Sequence, residues 1–145
     1  MKNPILGIIG GGQLGSLLSV AANKIGIKTV ILSDDENAPA KNFTEKFIYG
    51  KYDNKSITQE FIDSVDLVTY EFENIPFSIL QSINNEKTVL PKPEINSLIQ
   101  NRLTEKNFLN DINIQTTQYI SIKHIDELRE NENFLPGLLK TTTLG

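Results

Sequence analysis

Two groups of residues in this chain have the types and spacing to do chemistry. Glycines 10, 12 and 15 in GGGQLG follow the pattern G-x-G-x-x-G. Such a turn lets a ligand approach the backbone, and the helix that follows offers unpaired N–H groups to an anion. Asp34 and Asp35 come about 20 residues later, where a dinucleotide site wants an acid for a ribose hydroxyl. The second group is Glu71 and Glu73 in TYEFENIP. On a strand both point to one side, with Tyr70 and Phe72 on the other. Two acids near a glycine loop repel a pyrophosphate and suit an amine- or hydroxyl-bearing ligand. A plainer reading leaves one glutamate solvated, with Asn74 capping a helix that Pro76 helps to start. On the residues alone, three uses of the loop stay open: a dinucleotide site, a tight packing turn, or a seat for a donor-rich ligand.

The surrounding elements must position these groups. ILGIIG (5–10) is a short apolar run entering the glycines and reads as a buried parallel strand. From Gln13 to Lys24, the residues Leu14, Leu17, Leu18, Ala21 and Ala22 recur at helical spacing, and Ile25 extends the stripe. Gly26 supplies the stop. Strands are expected at 28–34, 46–50, 66–73 and 87–91, and helices at 56–65 and 75–84. Strands alternating with helices give a parallel sheet with right-handed crossovers, an α/β fold. Pro91 and Pro93 mark a boundary. Beyond it the pattern predicts one or two helices over 93–112, strands over 117–122 and from 136, and a helix over 124–131. This last section, of about fifty residues, is thin for a core of its own.

Composition excludes several classes. With 39% apolar and 22% charged residues the chain is an ordinary globular protein. A net charge of −4 argues against a nucleic-acid partner, which needs a basic face. There is no cysteine, and the single histidine, His124, leaves no cluster for zinc. No apolar run reaches the ~18–20 residues that span a bilayer. Gly10–Gly12 and Gln13 break the apolar N-terminal stretch, so it is not read as a leader. A cytoplasmic protein with no membrane partner is expected.

Four blocks in one order carry a resemblance: GGGQLG (10–15), TYEFENIP (69–76), QNRLTEKNFL (100–109) with Thr117 and Tyr119, and LLKTTTLG (138–145). Together they resemble the N-terminal part of the N5-carboxyaminoimidazole ribonucleotide synthetases, ATP-grasp carboxylases of purine biosynthesis. The match runs over the whole chain, which is less than half of a family member. It implies a Rossmann-like pre-ATP-grasp domain over 1–95 and the opening of an ATP-grasp domain over 96–145. It further implies carboxylation of the exocyclic amine of 5-aminoimidazole ribonucleotide with ATP, Mg2+ and bicarbonate, through carboxyphosphate, in a homodimer.

By the same resemblance, Gly12, Gln13 and Leu14 contact the ribonucleotide through backbone N–H groups and the Gln13 amide, with Glu71 and Glu73 nearby. Arg102 matches an ATP-contacting arginine, although Asn101 stands where the family has aspartate. Lys140 matches a lysine that reaches nucleotide phosphates, and Gly145 opens a phosphate loop. On their own chemistry, Arg102 before Glu105 also reads as a solvated helix pair, Lys140 as a strand-end cation, and the DDEN turn (34–37) as solvated, with Asp34 in reach of a ribose hydroxyl. No set of magnesium-holding carboxylates is expected in this stretch, so the chain alone is expected to be inactive. The competing readings are a related ligase such as the formate-dependent glycinamide ribonucleotide transformylase, and a non-enzymatic nucleotide- or NAD-binding module.

Overall fold

The computed structural model describes residues 3–144 and divides the chain into two compact units, 1–97 and 98–145. The first contains β1 (Ile5–Ile9), α1 (Gln13–Lys24), β2 (Lys28–Ser33), a short 3-10 helix (Pro39–Phe43), β3 (Lys46–Tyr49), α2 (Lys55–Asp63), β4 (Leu67–Tyr70) and α3 (Phe77–Asn84). The strands form one parallel sheet in the order β3-β2-β1-β4. Each successive strand is reached by a helical crossover, as the alternating pattern predicts. The expected strand at 87–91 shrinks to a single bridge between Val68 and Val89.

Alternation along the strands splits the core in two. Ile9, Val30, Leu32, Ile48 and Val68 face one side and pack with Phe61, Leu80 and Ile83 from α2 and α3. Ile8 and Ile31 face the other side and meet Ala40 of the 3-10 helix. This second layer is thin, and α1 is built to match it. Its buried residues are Gly15, Ser16, Ser19 and Ala22, all small. A Cβ on Gly15 would stand 2.7 Å from the Gly10 carbonyl oxygen, so the helix approaches the loop more closely than any side chain permits.

That reverses the sequence reading of α1. Leu14, Leu17 and Ile25 of the apolar stripe are 61%, 58% and 74% exposed, whereas Ser19 is fully buried. Helical periodicity marks a stripe, and here the inward one is set by size, because only small residues fit the narrow gap above the sheet. The helix stop is as expected. Gly26 has a φ of +78°, and the N–H groups of Gly26 and Ile27 donate to the Asn23 and Ala22 carbonyls, closing the last turn.

Two further expectations change near the acids. β4 ends at Tyr70, so residues 71–74 form a turn rather than the strand expected to 73. Strand alternation therefore does not place Glu71 and Glu73. Helix α3 starts at Phe77 with Pro76 as its N-cap residue and no side-chain cap, so Asn74 does not cap it. Pro76 lacks an N–H and has its φ already set, which suits a helix start without a side-chain acceptor.

Helix α4 (Pro93–Ile99) follows, and Asn96 Nδ2 donates to the Ile75 carbonyl at 3.1 Å. The second unit contains α5 (Arg102–Asp111), α6 (Ile125–Glu130) and a 3-10 turn (Glu132–Phe134). Neither expected strand, 117–122 or from 136, forms among the described residues. A β-prone segment becomes a strand only when a neighbour accepts its backbone groups, and no ladder forms here. No described residue of 98–144 is buried. Side chains tie 117–119 to α5 instead: Lys106 lies 5.0 Å from the Tyr119 ring centroid, and the Tyr119 hydroxyl donates to Asn107 Oδ1 at 2.7 Å.

The small face of α1 gives a paired test by chemical denaturation. Ser19→Leu is expected to destabilise the chain by about 1–3 kcal/mol through overpacking. Leu17→Ser, on the exposed stripe, should change stability by roughly 0.5 kcal/mol or less. The opposite ranking would show that the leucines, not the small residues, face the sheet.

Candidate functional site

Gly10 leaves β1 with a φ of +106°, a conformation side chains rarely adopt, and its N–H donates to the Leu32 carbonyl at 2.9 Å. The turn brings the Gly12 N–H to the mouth of α1. There it donates to Glu71 Oε1 at 2.8 Å. A Cβ on Gly12 would meet the same oxygen at 2.8 Å, and one on Gly10 would meet Glu71 Cγ at 2.5 Å. Glu71 itself is placed because its N–H continues the β1–β4 ladder, donating to the Ile9 carbonyl at 3.1 Å. The glycines are thus required by the approach of a carboxylate from the same chain, which sits where a dinucleotide would bring its pyrophosphate.

A cavity of about 220 Å³ opens beside this contact, at the carboxyl ends of β1 and β2. Gly11, Gly12, Asp34, Tyr52, Glu71 and Phe72 contribute to its wall. A larger, shallower groove of about 690 Å³ lies between the far end of α1 and the 3-10 helix, around Asn23, Lys24 and Phe43. Open parallel sheets bind ligands at the carboxyl edge, and convergent polar groups mark a site better than size does. The smaller cavity is therefore the candidate. Its volume is below the roughly 300–1,000 Å³ of whole-ligand pockets, so it suits one end of a nucleotide.

Tyr52 escaped the sequence reading. It stands in the turn after β3, a residue 9% exposed whose ring centroid lies 6.4 Å from that of Phe72, and it shares the cavity wall with Asp34 and Glu71. Burial pushes its phenol well above the usual tyrosine range, and the neighbouring Asp34 and Glu71 charges push the same way. The YD pair at 52–53 has no motif spacing, so only the fold could reveal it. Of the residues expected to contact a ribonucleotide, Gly12 and Glu71 line the cavity; Gln13, Leu14 and Glu73 are not among its lining residues. Gln13 is exposed and Glu73 half-buried.

In the second unit, the Asn101 side chain accepts from the Leu103 and Thr104 N–H groups at 2.9 and 3.2 Å. An aspartate at this position would cap α5 equally well, so the exchange leaves the helix start intact. The Arg102 N–H donates to the Thr142 carbonyl at 2.8 Å, and its guanidinium to the Thr141 carbonyl at 3.2 Å. The helix start is thereby tied to the segment that follows Lys140, which is exposed. Gly145 lies outside the described residues. Among the described residues, no three His, Asp or Glu side chains come together to hold a metal ion. No helix among the described residues is long and apolar enough to cross a membrane.

Residues 1–100 match the family model of the ribonucleotide synthetase pre-ATP-grasp domain, and the chain belongs to that family. More particularly, it is 40% identical over 142 residues to the N5-carboxyaminoimidazole ribonucleotide synthase of Brucella melitensis, covering 97% of this chain and 39% of that protein. A crystal structure of the ADP complex of an N5-carboxyaminoimidazole ribonucleotide synthetase aligns with all of this chain and 39% of its own, at 33% identity and a TM-score of 0.87. The Aspergillus clavatus synthase, solved with ADP and 5-aminoimidazole ribonucleotide, aligns with 92% of this chain and 36% of its own, at 25% identity and a TM-score of 0.77. The chain thus spans about two-fifths of the length of these relatives.

The buried phenol sets a pH dependence. A raised folded pKa means that the native state keeps a proton the unfolded chain loses above about pH 10. Stability should therefore fall as pH rises beyond that point. Tyr70, also raised by burial, adds to the slope. Denaturant titrations between neutral and strongly alkaline pH should show a shallower fall in Tyr52→Phe, and identical slopes would contradict this burial.

Proposed function

We propose that this chain is the N-terminal part of an ATP- and bicarbonate-dependent carboxylase, and that its cavity receives 5-aminoimidazole ribonucleotide. The reaction makes N5-carboxyaminoimidazole ribonucleotide. ATP phosphorylates bicarbonate to carboxyphosphate, releasing ADP. The exocyclic amine then attacks the carboxyl carbon, the bond to the phosphate oxygen breaks, and the nitrogen gives up a proton. The relatives' names support the overall reaction. The ribonucleotide in the Aspergillus structure supports the substrate. Mg2+ and homodimeric assembly come with the family likeness, and no step through a metal is assigned to these residues.

The contact between the Gly12 N–H and Glu71 carries the reading. It consumes the donor that a pyrophosphate would need and leaves a cavity walled by Glu71 and Asp34. Such a wall favours a ligand that brings donors, an amine or hydroxyls, over one that brings an anion. Gln13 and Leu14 at the start of α1, and Glu73 beyond Glu71, are assigned to the outer part of the same ribonucleotide site. Arg102, Lys140 and Gly145 are assigned to ATP. An arginine and a compact lysine charge suit phosphate oxygens.

Calorimetry on the 145-residue chain separates the alternatives. Binding of 5-aminoimidazole ribonucleotide, weakened about tenfold or more by Glu71→Gln, is expected from the loss of a charged hydrogen-bond acceptor. Glycinamide ribonucleotide and NAD(H) should show no comparable affinity. Tight NAD(H) binding without the aminoimidazole nucleotide would overturn the proposal.

A further inference from the structure

Helix α5 begins with its donors already taken. Asn101 Oδ1 accepts the N–H groups of Leu103 and Thr104, and the Arg102 N–H donates to the Thr142 carbonyl at 2.8 Å. An anion approaching this helix start would find those three donors engaged. What the helix start holds instead is a stretch of its own chain, 39 residues further on at Thr141.

Arg102 grips that stretch twice. Beside its main-chain bond to Thr142, its Nη1 donates to the Thr141 carbonyl at 3.2 Å. One bond would let the segment swivel about it, whereas bonds to two successive carbonyls fix its direction as well. Thr141 Oγ1 adds a local bond to the Thr143 carbonyl at 2.7 Å. Residues 137–141 belong to no helix or strand, so no ladder orders them. Lys140 comes immediately before the grip, and it is exposed. Bringing an unrestrained lysine to a phosphate costs backbone as well as side-chain freedom. Restraining the peptide beside it removes the backbone part of that cost before a ligand arrives. The fork matters here, because a guanidinium holds its donors in a rigid plane. A lysine in its place would keep the charge and hold the carbonyl less firmly.

We infer that Arg102 is a positioning residue: it holds the backbone of Thr141 and Thr142 against the start of α5 and thereby presents Lys140 to a nucleotide phosphate. This rests on the ATP assignment above and deepens it, giving Arg102 a role that runs through Lys140.

The test uses the isotope-labelled 145-residue chain in two NMR arms. Without ligand, heteronuclear NOE values report the order of each amide. Wild-type Lys140 and Thr141 should be nearly as ordered as α5, and Arg102→Gln should loosen both while the α5 amides keep their positions. Unchanged order in Arg102→Gln, or a segment already loose in the wild type, would overturn the inference. In the second arm ADP is the probe, and its Kd is read from the Thr141 amide shift. Arg102→Lys, which keeps the charge, and Lys140→Ala should each weaken binding about tenfold, and the double variant should be no weaker than Lys140→Ala alone. Losses that multiply would put Arg102 on the nucleotide independently and overturn a role through Lys140, as would wild-type affinity in Arg102→Lys. Wild-type resonances that ignore ADP would instead sink the ATP assignment, and the ligand-free arm then decides alone whether Arg102 orders the segment.

Discussion

The hydrogen bond from the Gly12 N–H to Glu71 joins the ends of two neighbouring strands, β1 and β4, on the sheet edge where the candidate site lies. It links the corner between β1 and α1 to the turn after β4, over 59 residues of sequence. Bonds of a neutral donor to a charged acceptor contribute about 1.5–3 kcal/mol, a large share of a small domain's margin. Its chemical effect exceeds its energy. A glycine loop at a helix start is a ready seat for an anion, and here a side chain of the same chain occupies that seat. The loop keeps the outward form of a dinucleotide site while the adjoining cavity changes sign and asks for donors.

The close approach this requires explains α1. Gly10 and Gly12 admit Glu71, and Gly15 lets the helix come down on the Gly10 carbonyl. Small residues continue that contact along Ser16, Ser19 and Ala22. The leucines are left facing outward, where they contribute little to holding the sheet. The positive φ of Gly10 and the small face of α1 thus serve one purpose, which is to bring backbone to within reach of an acid.

Much of this was legible in the sequence. The alternation of apolar runs and helical stripes predicts the parallel sheet, and the turn glycines predict both ends of α1. Glu71 was legible as an acid at the carboxyl edge, but strand alternation was the wrong reason, since the strand stops at Tyr70. The direction of the α1 stripe was hidden because hydrophobic periodicity does not encode how much room a sheet leaves above it. The strands expected at 117–122 and from 136 were misread because β-propensity says nothing of whether a partner strand is present. Tyr52 was invisible for a different reason: its place in the cavity depends on the turn after β3, which brings it to the same wall as Asp34, eighteen positions earlier in the chain. Asn101 shows the converse, a departure from the family pattern whose capping role the fold makes plain.

The central claim is that the anion seat of the glycine loop is filled from within. Following the Gly12 amide resonance by NMR during titration with inorganic pyrophosphate tests it most directly. The wild-type resonance should stay in place, and in Glu71→Ala, where the donor is released, it should move in a saturable way. A wild-type Gly12 amide that shifts with pyrophosphate as readily as the variant's would contradict the account.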